Sequence, residues 1–261
     1  MRRIKSKIIL SLLSAVWLNA YEIDDPKLGN IAIEAGIWNT RLDGSIQNPS
    51  ALIDFKNDLG FDEKKNVTLF GLDFKNDFSW LPNIYVNYFA MQSSTNGKIA
   101  LPGQTINGSN TYVGDVLSSI DYSELNTIVY GFLQQSIFEF DLGVNFKKIN
   151  YTQTLKSNTF TNQMPITIKG PESIIPLPYV GFKVDLYPIN TVLQAETSML
   201  AFGDDEAMDY KYSLNYRIMK NMYISYGYRY TSWKTQNKDT NINDKYDMNL
   251  KGNYINAKIL F

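Results

Sequence analysis

The sequence predicts an all-β chain whose strands close into a transmembrane antiparallel β-barrel. Ten strands are favoured, and eight or twelve are the alternatives. Three observations predict this fold. Apolar and polar residues alternate over many short segments, the connections between these segments are alternately short and long, and the chain ends with an aromatic residue, Phe261, on such a segment. After the first 20 residues no stretch is apolar enough to form a transmembrane helix, which takes roughly 20 such residues.

The N-terminus has the three regions of a secretory signal peptide. Its basic start contains Arg2, Arg3, Lys5 and Lys7, and an apolar run over 8–18 follows. Ala20 precedes the predicted cleavage site. An uncleaved N-terminal anchor is the alternative, but the apolar run is short for a spanning helix. We therefore expect a signal peptide over 1–20 and one β-barrel domain over 21–261.

The clearest alternation lies in the middle of the chain. Even positions carry Phe138, Phe140, Leu142, Val144 and Phe146, and odd positions carry Glu139, Asp141, Gly143, Asn145 and Lys147. A soluble β-sandwich would turn the apolar face toward a core, whereas a membrane barrel turns it toward lipid. Because the charges gather on the opposite face in segment after segment, the membrane barrel is favoured.

Similar alternation recurs over 31–38, 70–74, 179–186, 193–199, 210–218 and 223–230, while the faces of 83–92 and 120–132 are ambiguous. Short connections are predicted at 81–83, 134–135, 188–190 and 220–221. Long connections are predicted over 41–65, 93–118, 151–176 and 235–248, with a shorter one at 203–205. Tight periplasmic turns and longer external loops are typical of outer-membrane barrels. An even strand number then places both termini in the periplasm.

Charged residues on the polar faces are predicted to point into the barrel. They are Glu34, Asp73, Glu139, Asp141, Lys147, Lys183, Asp185, Glu196, Lys211, Arg217, Arg229 and Lys258. A ten-stranded barrel is narrow, so long side chains from facing walls can meet across it. These charges therefore predict either a salt-bridged plug or a polar path for a small solute.

The last strand and the overall charge bear on partners. Ile255, Ile259 and Phe261 lie at alternate positions, and we expect them to serve as a C-terminal signal for the outer-membrane assembly machinery. The lipid of the outer membrane is the second expected partner. A net charge of −1 argues against a nucleic-acid partner. We expect a monomer.

Three stretches carry a resemblance to known proteins. They are 53–60 (IDFKNDLG), 80–88 (WLPNIYVNY) and 175–179 (IPLPY). Together with the Phe-terminated last strand, they resemble a little-characterised family of Gram-negative outer-membrane β-barrel proteins over most of the mature chain. The resemblance implies a barrel in the bacterial outer membrane. It implies no substrate and no site residues.

The residue types that are missing limit the chemistry. The sequence contains neither histidine nor cysteine. The usual base that activates a serine hydroxyl near neutral pH is therefore absent, as are the two best ligands for zinc. Glu139 and Asp141 share a face and leave a carboxylate-pair hydrolase as an alternative, although paired structural charges are favoured. We expect no enzyme and no cofactor.

The expected function is therefore that of an outer-membrane β-barrel with a structural role or a narrow channel for small solutes. The alternative is a surface binding protein, an adhesin or receptor, that acts through its extracellular loops over 93–118 and 151–176.

Overall fold

A computed structural model of the chain describes residues 31–48, 51–76, 81–106, 110–159, 165–170, 174–202, 205–236 and 245–261. The predicted signal peptide lies outside these residues, so the division at residue 20 stays a prediction. The described regular structure is strand, apart from one 3-10 turn at Tyr187–Ile189. No helix in the described ranges is long and apolar enough to cross a membrane.

Within the described ranges, twelve strands form one antiparallel sheet. They are β1 (Ile31–Asn48), β2 (Ala51–Asp54), β3 (Lys65–Phe74), β4 (Asn83–Ile106), β5 (Asn110–Gln135), β6 (Phe138–Ser157), β7 (Ile166–Lys169), β8 (Ile174–Leu186), β9 (Thr191–Phe202), β10 (Asp205–Met219), β11 (Met222–Gln236) and β12 (Lys245–Leu260). Strand β12 pairs with β1 and closes the ring. The short strands β2 and β7 pair only at its outer edge, so ten strands form the barrel, as predicted.

The stagger of the strands decides which residues face each other. Starting at Ile31, the residue paired with it on the next strand can be found, then its own partner on the strand after that, and so on around the ring. Between β8 and β9 this requires extending the pairing by one residue beyond its last pair. The path returns to β1 at Asp43, twelve residues beyond Ile31, and this offset is the stagger of the barrel. Closed barrels of this kind have strands tilted by roughly 35–45°. Strands five places apart, such as β5 and β11, lie at opposite points of the ring.

Tight turns join the strands at the periplasmic end. Ser136 takes a left-handed backbone conformation, with φ of 57°, between β5 and β6, and Asn190 does so, with φ of 52°, before β9. The turn predicted at 134–135 was wrong by about two residues, because β5 keeps its pairing with β6 through Gln135. Lys220 and Asn221 connect β10 to β11, as expected.

Large apolar side chains cover the outside of the barrel near its periplasmic end. The exposed members include Ile33, Ile37, Phe70, Leu72, Phe140, Leu142, Val180, Leu193, Leu214, Ile224 and Ile255. Monomeric soluble proteins rarely expose a continuous apolar surface of this size, whereas a transmembrane barrel requires one. These side chains form the apolar belt that faces lipid.

Beyond the belt the polarity of the two faces is reversed. On β6, Lys148 and Asn150 point outward and are exposed, whereas Ile149, Tyr151 and Leu155 point inward and are buried. Inward residues of other strands join them in a hydrophobic core that fills the extracellular part of the barrel, among them Trp38, Leu42, Phe89, Ile120, Tyr122, Trp233 and Leu250. The extracellular part of the barrel thus has a polar outer surface and an apolar interior, the arrangement that soluble proteins have.

The predicted long loops are shorter than expected. Strands β4 and β5 continue through most of 93–118, and β6, β7 and β8 occupy much of 151–176. The prediction was wrong because the outward positions there, such as Ser94 and Asn96, are polar, which gives the sequence the composition of a loop. Strand pairing is nevertheless maintained, since the inward positions supply the apolar core.

The first connection, predicted as a loop over 41–65, is also folded. Strand β1 extends to Asn48 and β2 pairs back onto it. Phe55, Leu59 and Phe61 are buried in the extracellular core. The hydroxyl of Thr95 donates a hydrogen bond of 2.6 Å to the carbonyl of Leu59. This connection therefore closes the core from the extracellular side.

Candidate functional site

Four charged side chains meet in the lumen where the hydrophobic core begins. They are Glu124 on β5, Lys147 on β6, Asp209 on β10 and Arg229 on β11, and we call them the central cluster. Lys147 Nζ lies 2.9 Å from Glu124 and 3.4 Å from Asp209. Arg229 Nη2 lies 2.9 Å from Glu124 and 2.7 Å from Asp209. Each cation thus contacts both anions, and the four groups form a closed ring.

Neutral hydrogen bonds complete the coordination of the buried Glu124. Tyr122 Oη donates to Oε2 over 2.7 Å, and Thr231 Oγ1 donates to the same oxygen over 2.9 Å. Asn126 Nδ2 donates to Oε1 over 2.7 Å. A buried carboxylate needs such partners because removing it from water is costly. The partners come from two strands at opposite points of the ring, β5 and β11, so the cluster crosses the lumen.

Arg229 links the cluster to the hydrophobic core. Its guanidinium lies 4.9 Å from the ring centre of Phe89 and 5.5 Å from that of Trp38, within the range of cation–π contact. Trp38 and Phe89 pack edge to face, with centroids 5.1 Å apart. The network of buried ion pairs therefore ends at this arginine, and the mainly apolar core starts directly beyond it.

Further ion pairs line the lumen between the central cluster and the periplasm. Lys211 lies 2.7 Å from Glu196, Lys258 lies 2.9 Å from Asp73 and 3.2 Å from Glu34, Lys183 lies 2.8 Å from Asp141 and also contacts Glu139, and Arg217 lies 3.3 Å from Asp185. Tyrosine hydroxyls donate to several of these carboxylates, namely Tyr85 to Glu34, Tyr130 to Asp73 and Tyr179 to Glu196. We call these contacts the lower ion pairs.

The structure places all twelve charges predicted from the sequence in these contacts. Ten belong to the lower ion pairs, and Lys147 and Arg229 belong to the central cluster. Sequence reasoning missed Glu124 and Asp209. Asp209 could have been found by extending the inward series Lys211, Ser213 by one step. Glu124 had no such signal, since its strand mixes apolar and polar residues on both faces.

A small cavity separates the central cluster from the lower ion pairs. Its volume is about 40 Å³, and its lining includes Tyr85, Asn145, Glu196, Arg229 and Tyr254. Asn145 Oδ1 and Arg229 Nε are buried and have no hydrogen-bond partner among the described residues. A space of this size holds a few water molecules, which can both accept from and donate to such atoms. The described residues contain no cluster of three or more acidic side chains suited to a metal ion.

The predicted C-terminal signal lies on the outer surface. Ile255, Ile259 and Phe261 are all exposed on the belt, and the Phe261 amide donates to the carbonyl of Ile31 over 2.8 Å, next to the closing seam. Recognition of these residues by the assembly machinery stays a prediction.

Comparisons with known proteins identify the fold. No protein-family model matches the sequence, and no curated protein is similar to it. Among solved structures, the outer-membrane protease OmpT from Escherichia coli is similar over 92% of this chain and 99% of its own, with 8% identity and a TM-score of 0.59. The translocator domain of the autotransporter NalP from Neisseria meningitidis, also 8% identical, covers 100% of this chain and 96% of its own with a TM-score of 0.43.

The likeness to OmpT concerns the fold alone, because identity is low. Together with the closed ten-stranded ring and the apolar belt, it confirms the predicted transmembrane β-barrel of the Gram-negative outer-membrane type. The bacterial outer membrane predicted from the sequence is the location of such barrels.

Proposed function

We propose that this protein is a sealed outer-membrane barrel that acts at the cell surface, as an anchor for its folded extracellular part. The observation that carries the proposal is the filling of the barrel. The central cluster crosses the lumen, and the core around Phe89 and Tyr122 packs directly above it. The salt-bridged plug expected as one of two alternatives is thus favoured over the polar path.

A role in solute passage is disfavoured by the packing and the charge pairing of the lumen. The cavity of about 40 Å³ holds a few water molecules, and the ion-paired side chains of Asp209 and Arg229 border it. The ion pairs hold the lumen charges to one another. A permeating ion would have to separate buried partners such as Lys147 and Glu124, which costs several kcal/mol.

A catalytic role is disfavoured by residue type. The sequence has no histidine and no cysteine, so an oxygen nucleophile would lack its usual base. Glu139 and Asp141, the one carboxylate pair considered from the sequence, both contact Lys183. OmpT is a protease, but one fold hosts many functions and the activity does not follow from it.

A role at the surface is supported by how the strands project. Strands β4, β5 and β6 continue well past the apolar belt, with polar outward residues and a packed interior. Such a rigid projection can present a binding surface without moving. We therefore favour binding through the extracellular hairpins over a channel as the specific role.

The test compares cells that display the full chain with cells that display a variant lacking the tip of the β4–β5 hairpin, residues 100–113. The cut lies at the Ile99–Gly114 pair, so the core below is retained. Both cell types are exposed to a panel of purified extracellular-matrix proteins and glycans. Binding that the tip deletion removes supports the proposal, and binding equal to that of cells without the protein contradicts a surface-binding role. A gel shift on heating confirms that the variant barrel is folded.

A further inference from the structure

The apolar belt is much shorter, measured along the barrel axis, on the wall around β1 than on the opposite wall around β8. On β1 the described outward positions are apolar only at Ile31, Ile33, Ala35 and Ile37. On β8, diametrically opposite, all seven outward positions are apolar: Ile174, Pro176, Pro178, Val180, Phe182, Val184 and Leu186. The flanking strands follow the same trend more weakly. Three outward positions are apolar on β12 and three on β3, which flank β1, against five on β6 and four on β9, which flank β8.

This difference is large compared with a membrane. With a rise of about 3.3 Å per residue and a tilt near 40°, each residue adds about 2.5 Å of height. Over the described residues, the belt is then about 15 Å tall on β1 and about 30 Å tall on β8. A height of about 25 Å is typical for such barrels. Tilting the barrel cannot equalise the two walls, since it changes their depth but not their difference in height.

A row of asparagines ends the belt on the low wall. Asn39 on β1 is paired in register with Asn253 on β12 and with Asn66 on β3. Asn39 Nδ2 donates to Asn66 Oδ1 over 2.8 Å, and both Asn66 and Asn253 are exposed on the outer face. Primary amides are costly in hydrocarbon unless their hydrogen bonds are satisfied, so this row is incompatible with the lipid interior.

Two cations lie directly beyond this row. Lys251 Nζ is 2.6 Å and Arg41 Nε is 3.1 Å from the carboxylate of Asp43. Two positive charges and one negative charge leave this group with a net charge of +1. That charge suits the phosphate groups of lipid headgroups.

We propose that the wall of β12, β1 and β3 meets a locally thinner apolar layer, and that Asn39, Asn66 and Asn253 bind the headgroups of outer-leaflet lipids. Lipid is the occupant because the row lies on the outer circumference of the belt, next to the exposed Ile37 and Phe70. The membrane accommodates a short apolar wall by thinning beside it. The inference is independent of the proposed surface function, since it concerns the side of the barrel and not its outer end.

The test uses single cysteines, which the chain otherwise lacks. Asn39→Cys on the low wall is compared with Met208→Cys on β10. Met208 lies ten residues from Ile218, near the periplasmic end of β10, whereas Asn39 lies eight residues from Ile31, at the periplasmic end of β1. Met208 is therefore the farther of the two from the periplasmic end of its strand. Each variant carries a fluorescent label and is refolded into phosphatidylcholine vesicles. The vesicles contain a quencher attached either to the headgroup or to the middle of the acyl chain.

The ratio of headgroup quenching to acyl-chain quenching is expected to be at least about twice as high for the label at Asn39→Cys as for the label at Met208→Cys. Equal quenching ratios for the two labels would overturn the proposal, since they would indicate a level belt. Disulfide-linked dimers of unlabelled Asn39→Cys, formed in vesicles of the same lipid on air oxidation, would overturn it too, because a second copy would then cover the row. Should Asn39→Cys fail to fold, Asn253→Cys on the neighbouring strand takes its place.

Discussion

Arg229 and Glu124 meet across the barrel, with 2.9 Å between Nη2 and Oε1, although their strands lie at opposite points of the ring. A direct contact between opposite walls means that these two side chains together span the lumen at this height. Lys147 and Asp209 close the ring around the contact. The two walls are therefore held together by charge at the level where the polar lumen ends.

Removing one anion should destabilise this arrangement strongly. Glu124→Gln leaves the buried cations Lys147 and Arg229 with Asp209 alone, and breaking a buried ion pair on one side costs about 3–5 kcal/mol. The free energy of unfolding measured with urea in detergent or thin vesicles should fall by that amount. The control is Glu206→Gln at the extracellular rim, where the pair with Lys234 is exposed and a loss below about 1 kcal/mol is expected. Equal effects of the two substitutions would contradict the role of the cluster.

An introduced aspartate should affect folding very differently at two neighbouring residues of β6, Ile149 and Asn150. Ile149 is buried in the extracellular core, whereas Asn150 points outward beyond the belt. Ile149→Asp should abolish folding, because an unpaired buried carboxylate costs more than about 4 kcal/mol. Asn150→Asp should leave the yield of heat-modifiable barrel unchanged. A folded Ile149→Asp barrel would show that water fills this part of the lumen.

The reversal of polarity that this pair tests also explains what sequence reasoning could and could not predict. From Phe138 to Lys147, where the outer face of β6 meets lipid, the alternation predicts correctly which residues point outward and which point inward. From Lys148 onward the same alternation continues with opposite polarity, so a search for an apolar outer face interprets the strand as a loop. Strand β5 contains the same change around Glu124, and its faces are therefore ambiguous.

The contacts across the lumen could not be predicted in this way. Which side chains face each other depends on the stagger of twelve residues around the closed ring, and no local segment records that number. The sequence therefore predicts that Arg229 points inward but not that it contacts Glu124, which is 105 residues away.

The lack of space between Gly227 and the inward side chain of Tyr254 should limit substitution at Gly227. A Cβ atom there would lie 2.7 Å from Cζ of Tyr254 and would also clash with the carbonyl oxygen of Tyr212. Gly227→Ala must displace the ring or the strand, at a cost of about 1–3 kcal/mol. Ser225→Ala, on the same face and also buried, is the control and should cost less than half as much in the same urea titration. No difference between the two variants would show that the ring moves freely.

Acid should weaken the extracellular rim through Asp43, which lies beyond the apolar belt. Partial burial acts to raise the pKa of Asp43, but Lys251 and Arg41 outweigh it and hold that pKa below its usual value. The contribution to stability is then complete above the unfolded pKa of about 3.9 and is lost as the pH falls through the lower folded value. The urea midpoints of the wild type and Asp43→Asn should differ by a small, constant amount above about pH 5, and the difference should shrink as the pH falls below the unfolded pKa of about 3.9. A difference that stays constant as the pH falls well below about 3.9 would contradict the role of the ion pairs.

The most direct measurement of a sealed lumen is single-channel conductance. Residues 21–261 are refolded, the fold is confirmed by a gel shift on heating, and the protein is inserted into planar bilayers. We predict no discrete current steps beyond those of the bare bilayer. Discrete, salt-dependent steps whose ion preference changes on Lys183→Glu or Arg217→Glu would contradict the account, since they would establish a conducting lumen past the central cluster.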